Sequence, residues 1–593
     1  MKYLSNIKRS FEILDTYKLP KEHRLFFILQ LIAWQKMSFE FIEKYNILDF
    51  NEFYRSTISF DALKIHFKQL QQINQEAFDI AYMNKIKINN QDLVFIFHEV
   101  QELIGAKNFD LISFVKELLF DIIEQSIPEE ICQLIFRLAD IDDKDRIYIP
   151  FTYSQNILLT LIQNNVEHIY LENDTEVVLP NILNILFERD INVKSTNILE
   201  NPAYKLNDAP HLLEIFDTSL SNPPFGLKTT IKDDKIYRRF SFSKGKCFAP
   251  TPHIEHILAQ TSKKAVIIVP DGFLSRSVAA ESKLKAYLIE KNILEAVISL
   301  VQNIFTGCGV KTSILILNFK KKNDKFIFID GSRNFEYDSK IRKNILTNTD
   351  DIITWYRSPL DRLEISKIVS KSEIKDNHYN LAVDRYVVSK NEIEVFGILD
   401  KFSKKMRLSE MAQVLRPVVL KAGLETGNNQ AYEVCSGDIP DAGFLYRVEK
   451  RITIPGQTQL TMDQKLQPYD ILLSIRGIIG KVAIMPEKLE DIWIPNQVFL
   501  VIRPNDINNK KIISVYLYMF LRSKIGKVLL NRFAVGGTVH QIQVKGLGDI
   551  EIPQISQAEM EKAKNDFLDE IKIHQDIESL KQKAQSILNN FLN

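Results

Sequence analysis

No apolar run in this chain of 593 residues reaches the roughly 18 residues that a membrane-crossing helix requires. The first residues, MKYLSNIKRSFEIL, are too charged and too amphipathic for a secretory signal, so a cytoplasmic protein is expected. Cysteine is scarce and scattered: Cys132, Cys247, Cys308 and Cys435 include no pair with metal-ligand spacing. Four buried or incidental thiols explain them better than a staple, and no metal site is expected. An excess of either charge is also missing, since 76 Lys and Arg face 75 Asp and Glu, for a net charge of +1. That removes any global basic signal for nucleic acid but leaves room for charge gathered on one face. There is no Gly-x-x-x-x-Gly-Lys-Ser/Thr loop and no clustered Asp/Glu-x-Lys site, so neither translocation nor DNA cleavage is expected of this chain. Low-complexity segments and internal repeats are absent too.

What is there reads as about three or four domains of ordinary globular composition. Residues 1–140 carry apolar positions at helical spacing, as in FFILQLIAWQ and LISFVKELLFDIIEQ, with few glycines or prolines between them. From Arg146 the texture changes. Short β-rich runs (RIYIPF, EHIYLE, NVKSTNI, TSLSN, KAVIIVP, LEAVISLV, KTSILILNF) alternate with helical ones such as TEVVLPNILNILFERD and SKLKAYLIEKN. This alternation predicts an α/β fold with a mostly parallel sheet and helices on both faces. A connecting segment covers 346–404, and a second β-rich region covers 405–555, with RITIPG, YDILLSIRG, KVAIMP and IWIPNQVFLVIRP. Residues 556–593 read as a closing helix. Along it Ile573, Ile577, Leu580, Ala584, Ile587 and Phe591 step by fours and threes, a short heptad seam for its own protein or a partner helix.

One four-residue stretch carries chemistry. In Asn222-Pro223-Pro224-Phe225 the amide oxygen can accept a hydrogen bond from an exocyclic amino group. The Pro223 carbonyl precedes another proline, so no helix ties it up, and it can accept a second. Phe225 offers a face for stacking. The bland alternative is a Pro-Pro turn. Placement argues against it: TSLSN is a strand running straight into the motif, and ligands of such sheets sit at the carboxyl ends of strands.

The order KKAVIIVPDGFLSRS, then LKAYLIEKNILEAVISLVQNIFTGCGVKTSILILN, together with Asn222–Phe225, resembles the N6-adenine DNA methyltransferase (modification) subunits of type I restriction–modification systems. The resemblance implies a helical N-terminal domain (1–140) and a Rossmann-like methyltransferase domain with a mostly parallel sheet (141–345). The region after 405 is similar to one target-recognition domain of the matching specificity subunits, through YDILLSIRGIIGKVAIMPE, PNQVFLVIRP, YLYMFLRS and GGTVHQIQVKGLGDIEIP. That implies an α+β recognition domain (405–555) with a trailing spacer or dimerisation helix (556–593). The implied reaction is site-specific adenine N6 methylation of double-stranded DNA, with the base flipped out of the stack. The implied assembly is a homodimer, or a complex with a second methyltransferase or specificity subunit. Any restriction or translocase activity would come from a separate subunit. Expected DNA contacts are Arg476, Gly477, Lys481, Asn496, Gln497, Gly537, His540, Gln541 and Lys545, each alternatively a hairpin turn or a solvated polar group.

The resemblance also implies S-adenosylmethionine, with Tyr148, Pro150, Phe151 and Ser154 at the first strand's end, Glu172 on the ribose and Asn197 on the adenine amino group. Here the chain departs from the family. Ile149 replaces an acid, and Tyr153 and Gln155 stand where a Gly-x-Gly turn lets the backbone approach the cofactor. Two readings stay open: a working methyltransferase with an atypical cofactor loop, or a recognition subunit whose cofactor site has decayed.

Overall fold

The computed structural model of the protein describes residues 4–590 apart from 38–47, 57, 84–85, 123–126, 152–155, 175–176, 233, 306–307, 340–341, 418–429, 441–442, 446–447, 454–463, 490, 536–540, 543 and 545. The chain divides into two compact units, Met1–Val387 and Val388–Asn593. No helix among the described residues is long and apolar enough to cross a membrane.

In the first unit the helical region is built around α1 (Lys21–Lys36), in which every residue from Leu25 to Trp34 is buried. A helix apolar on all sides must be enclosed by others. Trp34 meets Phe50, Phe53, Phe67 and Phe97 at centroid distances of 5.2–6.3 Å. Helix α2 (Glu129–Ala139) leads into a nine-stranded sheet. Its strands are β1 (Ile147–Pro150), β2 (Ile169–Asn173), β3 (Asn192–Ser195), β4 (Phe216–Ser221), β5 (Thr261–Pro270), β6 (Leu294–Ser299), β7 (Thr312–Asn318), β8 (Phe326–Asp330) and β9 (Ser366–Val369). Helices α3 (Asn156–Gln163), α4 (Val178–Phe187), α5 (Thr251–Gln260) and α6 (Ala279–Glu290) lie between strands. All seven runs predicted as strands from 146 to 319 form strands of this sheet.

The order across the sheet is β9-β8-β6-β7-β5-β4-β1-β2-β3. Strands β3, β2, β1, β4 and β5 pair in parallel, and β7 runs antiparallel between β5 and β6. Parallel interior strands bury both faces and read as continuous apolar runs, and KAVIIVP does so. Alternate residues of β5 go to opposite cores. Val266 and Ile268 join Ile147, Ile149 and the N-terminal helices, whereas Ala265, Ile267 and Val269 pack with Ile254 and Ile257 of α5 and Leu284 of α6. The helices of 1–140 therefore share one core with a sheet face. The segment expected to be a connector supplies edge strand β9, antiparallel to β8.

The second unit has a four-stranded sheet of β10 (Ala412–Leu415), β11 (Ile471–Ser474), β12 (Val482–Ile484) and β13 (Phe499–Pro504), in the order β10-β13-β11-β12. Helices α7 (Lys510–Arg522) and α8 (Lys524–Asn531) pack with it, and α9 (Gln557–Asn590) closes the chain. At Gly526 an added Cβ would collide with the Phe520 carbonyl oxygen and approach Leu521 Cα to 2.6 Å, so only glycine permits the tight α7–α8 corner. Helix α9 packs through Phe567 against Phe444 and Tyr518. Further along, its seam residues Ile573, Ile577, Leu580 and Ile587 are exposed.

Candidate functional site

The order of the first sheet reverses between β4 and β1, and in open α/β sheets ligands bind outside the carboxyl ends of the strands at such a reversal. Ser221, the last residue of β4, donates its hydroxyl to the Pro150 carbonyl at the end of β1 at 2.7 Å, fixing the two ends together. Asn222 follows directly. Its Oδ1 is buried and has no hydrogen-bond partner among the described residues. Pro223 is buried, Pro224 half-buried, and neither has an N–H to offer. Phe225 is half-buried and meets Phe305 edge-on, with centroids 5.8 Å apart and planes at 84°. An unmet acceptor and an aromatic ring thus lie together at the strand end.

The neighbouring strand ends are different. Glu172 on β2 is wholly buried. Its Oε2 accepts from the Tyr148 hydroxyl at 2.6 Å, and its Oε1 accepts from Thr196 Oγ1 at 2.9 Å and the Ala203 amide at 2.5 Å. Tyr148, also fully buried, reaches His256 Nε2 at 2.9 Å, and His256 Nδ1 lies 3.0 Å from Arg239 Nη1. Arginine can only donate, so Nδ1 accepts and Nε2 carries the proton. The chain then runs in one direction: Arg239 to His256, His256 to Tyr148, Tyr148 to Glu172. Arg239 is anchored by Asp234 at 2.7 Å and donates to the carbonyls of Ile198 and Leu199, each at 2.8 Å. Burial, then the adjacent Arg239, holds the His256 imidazole well below the usual histidine range. Burial alone pushes His253 down to about 3. Burial and the Glu172 charge push the Tyr148 phenol up.

These contacts decide where the other expected cofactor residues stand. Phe151 has φ of 58° and is buried edge-on to His253, 4.5 Å between centroids. Pro150 is buried. Asn197 is exposed and closes a turn, accepting from the Glu200 and Asn201 amides through its carbonyl. Ser154, with Tyr153 and Gln155, lies outside the described residues. Sequence reading missed Asp234, Arg239 and His256. Tyr148 and His256 are 108 residues apart, and no local spacing signals such a pair.

In the second unit three expected segments converge at the end of β11. The Ile475 amide donates to Val498 at 2.7 Å, and its carbonyl accepts from Ile542 at 3.0 Å, which brings the turn after β11, residues 496–498 and residues 541–542 together. Arg476 is half-buried, and its Nε has no partner among the described residues. Gly477 and Gly480 take φ of 73° and 76°, the left-handed backbone that this turn needs. The Lys481 amide donates to Ser474 Oγ at 2.9 Å. Asn496 Oδ1 accepts from the Val498 amide at 3.3 Å, and Gln497 is half-buried beside it. The backbone of Gln541 pairs with Val535. The Gln541 side chain, Gly537, His540 and Lys545 lie outside the described residues.

Residues 125–395 match the family N-6 DNA Methylase, and residues 400–588 match the family Type I restriction modification DNA specificity domain. The chain joins an N-6 DNA methylase domain to a type I DNA specificity domain. Among curated relatives, the type I restriction enzyme MpnII methylase subunit of Mycoplasma pneumoniae is 29% identical over 193 residues, 31% of this chain and 35% of that protein. The MjaVII methylase subunit of Methanocaldococcus jannaschii is 27% identical over 307 residues, 47% of this chain and 52% of that protein. The chain thus spans about a third to a half of the length of these relatives. The crystal structure of a type I restriction–modification methyltransferase subunit from Streptococcus thermophilus shares the fold, with a TM-score of 0.57 at 19% identity over 65% of this chain and 99% of that one.

Methylase domains imply S-adenosylmethionine, and the strand ends of this one can be tested for it. A ribose needs a carboxylate with free, reachable oxygens. Glu172 has none: it has no exposed surface, and three internal donors occupy it. Asn197 closes its turn through the backbone carbonyl, and its exposed side chain meets the Glu200 amide at 3.4 Å. Glu172, as arranged here, does not fit the ribose of the cofactor.

Proposed function

We propose that this chain is the adenine-directed component of a type I restriction–modification system, an N6-adenine DNA methyltransferase whose specificity domain selects the site on double-stranded DNA. The observation that carries the reading is Asn222 Oδ1, a buried acceptor without a partner, set beside Phe225 at the carboxyl end of β4. A buried polar atom costs about 1–3 kcal/mol when unpaired, and an amino group bound here would recover that cost. The target adenine rotates out of the duplex, because its N6 is out of reach in the stack. Phe225 stacks on the base. Asn222 Oδ1 and the Pro223 carbonyl accept the two N6 hydrogens, which fixes the amino group and turns its lone pair outward. Arg476 and Lys481 on the β11–β12 turn, with Gln497 and Gln541 nearby, supply base and phosphate contacts for the specificity domain; Gly537, His540 and Lys545 complete that set.

Support for S-adenosylmethionine as methyl source comes from the methylase family match. A homodimer or a partner methylase or specificity subunit would complete a two-part site, and cleavage would belong to a separate subunit in the cytoplasm. The sealed Glu172 favours a second reading, a subunit that grips adenine without methylating it. Methyl incorporation into host DNA, mapped by single-molecule sequencing with and without the gene, separates them. Methylation of one motif by the wild type and none by Asn222→Ala is expected. Equal methylation by Asn222→Ala would sink the assignment.

A further inference from the structure

The donor half of the crevice is occupied by the chain itself. In an open α/β sheet, the acid ending the second strand reaches ribose hydroxyls from about 20 residues beyond the first strand's turn. Glu172 ends β2 beside Pro150, its register partner on β1. The notch in front of it is filled by the segment from Thr196 to Ala203, which leads out of β3.

That segment is held on two sides. Glu172 binds it through Thr196 Oγ1 and the Ala203 amide. Arg239 binds it through the Ile198 and Leu199 carbonyls, with a side chain that has no exposure. The two clamps are themselves joined through His256 and Tyr148. The loop carrying Arg239 is tied back to α5, where Glu255 accepts from the Phe242 and Ser243 amides at 2.7 and 3.0 Å. Each link from Arg239 through His256 and Tyr148 to Glu172 pairs a donor with an acceptor, and the two buried charges are paired or hydrogen-bonded. Such satisfaction marks a built arrangement, because a half-met buried network costs more than an apolar one.

We infer that residues 196–203 are an intramolecular plug in the methyl-donor notch, clamped by Glu172 and Arg239, and that S-adenosylmethionine enters only by displacing it. The inference rests on the methyltransferase reading and assigns Arg239 and Tyr148 as positioning residues that set donor affinity. A ligand that competes with a plug binds weakly, its apparent Kd rising in inverse proportion to the open fraction.

The test is calorimetry of the full chain with S-adenosylmethionine. Arg239→Gln, which stays polar but is shorter and loses the clamp, is expected to bind at least tenfold tighter than wild type. Tyr148→Phe, which frees one Glu172 oxygen, is expected to shift affinity in the same direction. Amide exchange covers the event that both variants fold poorly: in the wild type, the Ala203 amide is expected to be slow and to lose protection as donor is added. Unchanged or weaker binding in well-folded variants overturns the plug, as does an Ala203 amide that stays protected in donor-saturated protein. Host DNA methylation judges the function separately. Methylation with an affinity ratio near one defeats the plug alone, and a tenfold ratio without methylation under any condition defeats the methyltransferase reading alone.

Discussion

Asn222 makes an unusual stability prediction, because its proposed role is to be unsatisfied in the free protein. Its Oδ1 is cut off from solvent without a partner among the described residues. Leaving such an acceptor unmet costs about 1–3 kcal/mol. Asn222→Ala removes that penalty and a few packing atoms, typically about 1 kcal/mol for a half-buried side chain. The net change is expected to lie between neutral and about 2 kcal/mol of added stability, from those two terms. Asn222→Asp keeps the shape but places a charge where no donor waits, and should cost several kcal/mol at neutral pH. Urea denaturation followed by tryptophan fluorescence measures both. The chain has three tryptophans, and Trp34 and Trp355 report the first unit once Trp493 is replaced by phenylalanine. A loss above about 2 kcal/mol in Asn222→Ala would mean that the amide is already paired in the free protein, since the terms above cannot produce it. The preformed adenine acceptor would then be refuted.

Acid should weaken the first unit before it weakens the second. His253 and His256 are buried with depressed pKa values, so below about 6.5 the unfolded chain takes protons that the folded chain refuses. Their stability is complete above that pH and is lost as pH falls through it. His253 alone should cost about 2 kcal/mol between pH 7 and pH 5, read as a falling urea midpoint of the same fluorescence signal. In the second unit, buried Asp470 accepts from Arg503 at 2.7 and 3.0 Å and pairs with Lys510 at 3.1 Å. Asp470→Ala leaves both cations unmatched and should cost about 3–5 kcal/mol by Trp493 fluorescence. Gly526→Ala drives a Cβ into the Phe520 carbonyl and should lower the thermal midpoint of the second unit, whereas Gly397→Ala, where an added Cβ has open space, should not.

The architecture was legible wherever one local rule governs it. KAVIIVP reads as a buried parallel strand because both its faces are apolar, and TSLSN running into Asn222 places the motif at a strand end before any coordinate is known. The edge strand Ser366–Val369 reads as connector in the sequence, because four residues with no alternation to speak of become a strand only through pairing with β8. The donor half was less legible still. Tyr148 and Glu172 read as cofactor residues at two strand ends, and nothing in the sequence singles out Arg239. Only the tertiary fold brings them into one hydrogen-bonded chain, and it reverses the meaning of Glu172. An acid at the end of β2 implies a site only if its oxygens are free. The same crevice therefore holds two acceptors of opposite character. Asn222 Oδ1 is buried with no donor among the described residues, as a group awaiting a ligand should be; Glu172 is buried with three, as a closed one should be. Because the two lie on different strands and share no hydrogen bond, adenine capture at β4 can survive whatever has happened at β2, and the two halves of the site must be assayed apart.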